Sequence, residues 1–264
     1  MKQLLRLVLY ICLFLITALN LPAQGSVTKN ARFTELSLEI RSTKEVFVQL
    51  EPIPIIFKLS NNTNHSILGH GSFRFSSNFV SIFMKSPDGS TQEITPLSLD
   101  RILSVGKEVL IPPQTQVERS ELLKLDLNRY FTVPGIYKLQ ALFKSRSGLD
   151  VIRSSWLAVT ITEPHGANLA AYKFLKQGTN VARVYRMHET DEQRNFFEAF
   201  VANYENTLYA PYIQMNLAEY YVFAGDFTNA KTKLEKLKGV KDFVFAPEVV
   251  RLIKEVGARQ RSGK

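Results

Sequence analysis

Cysteine is almost absent: the 264-residue chain contains one, Cys12. It lies inside an apolar run near the N-terminus, so a chain processed after that run would hold no thiol. Disulfides, thiolate metal sites and cysteine nucleophiles are thereby excluded for such a chain, and core packing has to hold the fold. Tryptophan occurs once, as Trp156, and histidine four times, as His65, His70, His165 and His188. The glycine spacing of a phosphate loop or a nucleophile elbow is missing, because Gly69-His70-Gly71-Ser72 fits neither. No cofactor motif is present, and no apolar run is long enough to span a membrane comfortably.

The N-terminus carries the first positive signal. Lys2 and Arg6 precede an apolar run from Leu7 to Leu19, followed by Leu21-Pro22-Ala23. That is the order of charged region, apolar region and cleavage site in a secretory signal. Residues 1–24 are expected to direct export to the periplasm or the extracellular space, with cleavage near Ala23-Gln24 and membrane contact only before it. The net charge of +9 drops to about +7 without Lys2 and Arg6, and acids are interleaved with the remaining bases. Nucleic-acid binding would need a basic face with stacking aromatics, and none is legible.

From Phe33 the chain alternates in period two: Leu36, Leu38 and Ile40, then Val46 and Val48, then Ile53, Ile55, Phe57 and Leu59. Such alternation marks strands with one buried face. A hairpin is expected where Phe79 to Met84 runs through Ser86-Pro87-Asp88-Gly89 into Thr91 to Ile94, since proline sets φ and glycine accepts φ > 0. Ile136 to Phe143 alternates after Pro134-Gly135, and Val151 to Ile161 reads as one last strand carrying Trp156. Glu51-Pro52-Ile53-Pro54-Ile55-Ile56-Phe57, with Leu125-Asp126-Leu127 and Pro134-Gly135-Ile136-Tyr137-Lys138-Leu139, resembles bacterial immunoglobulin-like domains of exported proteins, including those akin to proteinase inhibitor domains. The resemblance implies an antiparallel β-sandwich over residues 25–163. Leu110-Ile111-Pro112-Pro113-Gln114 is the nearest candidate for an inhibitory loop, and a proline-stiffened connection explains it equally.

Beyond Glu163-Pro164 the period becomes helical. Thr190-Asp191-Glu192 offers an N-cap with acids in the first turn, Pro211 opens a helix through Leu217 and Tyr221, Gly225-Asp226 breaks it, and Pro247 to Val256 forms a last helix. Leu217-Ala218-x-x-Tyr221, then Gly225-Asp226-Phe227-x-x-Ala230-x-x-x-Leu234-x-x-Leu237, is similar to the tetratricopeptide (TPR) helix pair, with small residues where the helices touch. The expected layout is therefore a sandwich followed by a short TPR-like array over residues 164–258 and a flexible basic tail over 259–264. The boundary predicts that a cut at about Pro164 leaves two folded fragments.

Arrays of this kind hold partner segments in the groove of their first helices. The resemblance makes Tyr212, Asn216, Glu219 and Tyr220 the expected partner-binding residues, the partner a protein of the cell envelope, and the chain a non-enzymatic scaffold. The bland reading of the same tyrosines is ordinary core or rim. One alternative is a carbohydrate or cell-wall binding module that stacks sugars on Trp156 and an exposed Tyr130 or Phe131. Less favoured are an inhibitor and a hydrolase with a metal site at His65 and His70, completed by Asp88 or Asp100. Carboxylate pairs such as Glu118 with Glu121, or Glu45 with Glu51, are expected by chance in a chain with 24 acidic residues.

Overall fold

The computed structural model describes residues 32–70, 79–94, 108–122, 130–145, 147–177, 190–241 and 243–262. The expected export signal lies outside these residues, as do Asp100 and His188. No described helix is long and apolar enough to cross a membrane. The architecture is α+β, with a β part followed by a helical part.

One sheet joins β1 (Leu36–Ser42), β3 (Pro54–Asn61) and β8 (Thr115–Leu122), all antiparallel. The period-two pattern does what it should: Leu38 faces Leu59 across the pair and Ile40 faces Phe57, all buried, while Glu39 and Lys58 point outward. On the outer face Glu39, Lys58 and Glu118 stand in one row across the three strands. Lys58 lies 3.8 Å from Glu39, and Arg41 reaches Glu118 at 2.7 Å.

The second sheet has the order β2 (Val46–Val48), β11 (Leu157–Thr162), β9 (Gly135–Lys144), β5 (Val80–Lys85), β6 (Thr91–Ile94), with β10 (Val151–Arg153) also on β9. Among the described residues only β2 on β11 is parallel. The β5–β6 hairpin turns at Gly89, with φ +88. At the start of β9 the Tyr137 hydroxyl donates to the Val133 carbonyl at 2.9 Å, and its ring meets Phe131 edge-on. Burial pushes the Tyr137 phenol above its ordinary pKa. A two-stranded ribbon, β4 (Ile67–His70) with β7 (Glu108–Ile111), completes the β part.

The expected single strand from Val151 to Ile161 is two strands divided by a bulge. Arg153 pairs with Leu142 and Leu157 with Leu139, so three residues oppose two. Ser154 fills the gap: its N–H donates to the Ala141 carbonyl at 2.9 Å and its hydroxyl accepts from the Ala141 N–H at 3.0 Å.

Five helices follow among the described residues: α1 (Gly166–Lys176), α2 (Asp191–Tyr204), α3 (Ala210–Phe223), α4 (Phe227–Lys238) and α5 (Ala246–Ser262). They pack in chain order, each on its neighbour. Asp226 caps α4 by accepting from the Asn229 N–H at 3.0 Å. The last helix is longer than expected, and residues 259–262 belong to it rather than to a flexible tail. Arg251 and Arg259 both reach Glu255, at 2.9 and 2.6 Å, and such pairs one turn apart extend the helix.

A contiguous apolar core runs from Phe33 and the inner sheet faces through Leu175, Phe200, Tyr209, Ile213 and Leu217. It crosses Pro164 without a break. A second core, with Ala218, Ala230, Leu234 and Val249, fills the α3–α5 layer. Helix α3 is therefore buried on two sides, which leaves one polar group stranded: the side-chain nitrogen of Gln214, buried with no hydrogen-bond partner among the described residues. Gln214→Met keeps the length and removes that amide, and is expected to raise stability by about 1 kcal/mol, read as a higher Tm.

Candidate functional site

The four residues expected to bind a partner all lie on α3, and they separate by depth. Asn216 is 7 % exposed and belongs to the interior. Tyr212 packs against both cores, with its ring edge-on to Phe243 at 5.5 Å, and burial raises its phenol strongly. Glu219 and Tyr220 are partly exposed. The accessible half of the set is thus the C-terminal half of α3.

Tyr220 does not stand alone. Its hydroxyl donates to Asp191 Oδ1 at 3.0 Å, and Arg194, 3.0 Å from the same carboxylate, lies 5.9 Å from the Tyr220 ring. The hydrogen bond to Asp191 raises the Tyr220 phenol. A polar, aromatic face therefore spans the start of α2 and the end of α3. Asp191 and Arg194 had no signal in the sequence beyond their place in a first helical turn. Behind this face Glu198 of α2 ties three helices: it accepts from the Tyr221 hydroxyl at 2.8 Å and pairs with Lys233 of α4. Burial, followed by the bond to Glu198, pushes Tyr221 up to about 12. On the far side, Thr228, Lys231, Thr232, Glu235, Lys236 and Gln260 line an open, shallow depression of about 640 Å³ between α4 and α5.

The residues weighed for other chemistries are dispersed. His65 pairs with Glu35 at 2.8 Å, while Asp88 sits in the β5–β6 turn accepting from Ser90, which lowers its pKa. His165 precedes α1 without capping it. Among the described residues no three His, Asp or Glu side chains gather as a metal site. Glu118 pairs with Arg41 and Glu121 with Arg119. Glu51 is 4 % exposed and held by Lys44 at 2.6 Å. In the Leu110–Gln114 segment Ile111 is buried, and the Asn61 amide donates to the Ile111 and Pro112 carbonyls, so the segment is clamped down.

The sugar-stacking trio needs a correction. Tyr130 and Phe131 are 1 % and 4 % exposed, core residues beneath the start of β9, and only Trp156, at 43 %, is open. The left-handed backbone of Phe131, φ +58, turns this pair under the sheet.

Neither a family model nor a curated protein matches the chain. Among solved structures, partial likenesses include a β-glucosidase from Listeria innocua in complex with isofagomine, at 10 % identity over 50 % of this chain and 17 % of that one, TM-score 0.29. A sporulation control protein from Bacillus subtilis follows at 10 % identity over 54 % and 55 %, TM-score 0.32. The C-terminal domain of wzt matches at 10 % identity over 55 % and 81 %, TM-score 0.29. The chain thus spans under a fifth of the glucosidase, and likenesses this weak carry no functional argument.

Proposed function

We propose that this chain is a non-enzymatic, exported interaction protein: an immunoglobulin-like β-sandwich joined to a short TPR-like array that holds a segment of a cell-envelope protein. The observation carrying the reading is the helical stack. Ala218 and Ala230 are fully buried where α3 meets α4, Gly225 turns between them with φ +75, and larger apolar residues fill the remainder. That is the packing logic of a helical repeat. The immunoglobulin-like reading is supported by β2 running parallel on β11 and by the bond from Tyr137 back to Val133, which has the form of a tyrosine corner.

The partner segment would lie over Glu219, Tyr220, Asp191 and Arg194, with Tyr212 and Asn216 supporting the helix from inside. The expected result of Tyr220→Ala is at least tenfold weaker capture of an envelope protein by the mature chain, as for a modest aromatic hot spot, with Tm unchanged. Quantitative pull-down from the native envelope fraction, with mass spectrometry and a melting curve for each variant, reads both. Equal capture by wild type and Tyr220→Ala,Glu219→Gln would remove the groove assignment.

A further inference from the structure

We propose a second binding site on the β part: the outer face of β11, β9 and β5, which takes an acidic polysaccharide, with the Trp156 ring as stacking platform and Lys138 and Lys85 as partners for its anionic groups. The bulge is the first ground. By adding one residue between Arg153 and Leu157, it presents Trp156 at the rim of the sheet's outer face, 43 % exposed. Bulges commonly re-aim a side chain in this way. One step from the Leu157–Leu139 pair, Trp156 lies beside Gln140, whose amide is held by the Ser154 carbonyl at 2.9 Å.

Charge is the second ground. Lys85 and Lys138 are directly opposite each other on β5 and β9, both exposed. Like charges so placed destabilise a sheet, and neither lysine has an ion pair among the described residues. The first sheet shows the contrast, because Lys58 and Arg41 on its outer face are matched by Glu39 and Glu118. Glu93 is the carboxylate in the neighbouring row; it stands opposite Phe83, whereas Lys85 stands opposite Thr91. An anion from outside would relieve the lysine pair.

Shape selects the ligand. The three strands lie about 4.8 Å apart, so ring and lysines are strung across the face without a groove to enclose a small ion. An extended chain that alternates apolar ring faces with carboxylates meets both requirements at once.

The test is calorimetric titration of the mature chain with alginate, a uronic-acid polymer, against neutral dextran and phosphatidylglycerol vesicles. Alginate is expected to bind, and dextran and vesicles are not. Trp156→Ala and Lys138→Gln each weaken alginate at least tenfold, Trp156→Phe largely preserves it, and Lys58→Gln on the other sheet leaves it unchanged. Lys138→Gln is also expected to raise the Tm of the free protein, since it breaks the like-charge pair. Failure to bind alginate, equal binding of dextran, or equal loss in Lys58→Gln would overturn the proposal. So would vesicle binding abolished by the same two substitutions, which would assign the face to lipid.

Discussion

Tyr209→Ala is expected to cost about 3–5 kcal/mol, the loss typical of a large buried ring. Tyr209 is fully buried at the start of α3, and its hydroxyl donates at 2.9 Å to the carbonyl of Gln49, 160 residues earlier in the chain. The segment it meets is unusual in its own right. Leu50 has φ +64, and the next residue is the buried Glu51 with its Lys44 partner. Desolvation in this contact, with Glu51 nearby, holds the Tyr209 phenol far above its ordinary pKa. Tyr209→Phe, which loses only the hydrogen bond, should cost about 0.5–1.5 kcal/mol. Urea denaturation followed both by far-ultraviolet circular dichroism and by Trp156 fluorescence checks the size and the coupling. With a shared core the two signals move together. A shift confined to the helical signal would mean two independent fragments meeting at Pro164.

Asn61→Ala is expected to cost on the order of 3 kcal/mol, because it strands several polar groups at once. Asn61 is fully buried, and its amide nitrogen donates to the carbonyls of His65, Ile111 and Pro112 at 2.8, 2.9 and 3.0 Å. Its carbonyl oxygen accepts from the Thr63 N–H at 3.0 Å and hydroxyl at 2.7 Å. One side chain thus fixes the β3–β4 turn and the connection from β7 to β8. Asn61→Asp keeps the acceptor but aims a carboxylate oxygen at three carbonyls. Burial and repulsion would raise the folded-state pKa of that carboxyl above about 3.9, so the folded state binds the proton more tightly and the variant gains stability as pH falls. The stability gap between Asn61→Asp and wild type should be largest at neutral pH and narrow towards pH 4. A gap independent of pH would mean that the carboxylate turns out to solvent.

The elements that announced themselves in the sequence are those whose pattern is local. Alternation in β1, β3 and β9 is set by one residue in two meeting the core, and Ser86-Pro87-Asp88-Gly89 marks a turn by its own backbone preferences. The break at Gly225-Asp226 and the Ala218–Ala230 contact were equally legible, since a tight turn and close helix approach each demand a small set of residue types. What was hidden depends on a partner strand or helix. A bulge exists only relative to the register of β9, so Val151 to Ile161 reads as one strand. Tyr130 and Phe131 look exposed until the chain turns them beneath Tyr137. The depth of Tyr212 and Asn216 is fixed by α3 having neighbours on both sides, which a single helix pattern does not encode. Partner and groove rest on resemblance, which capture at Tyr220 tests, and export rests on the order of charged region, apolar run and cleavage site at the N-terminus.

The parallel contact between β2 and β11 also sets a timetable. Val46 pairs with Thr160, and the loop after β2 waits for Tyr209. At about 5–20 residues per second, that loop spends on the order of ten seconds outside the ribosome before its last partner is made. Until β11 emerges β2 is an unpaired edge, and contacts so distant in sequence make folding slow. A chain built this way stays unfinished until Tyr209 has been synthesised, the condition in which a polypeptide can still be threaded through a narrow channel.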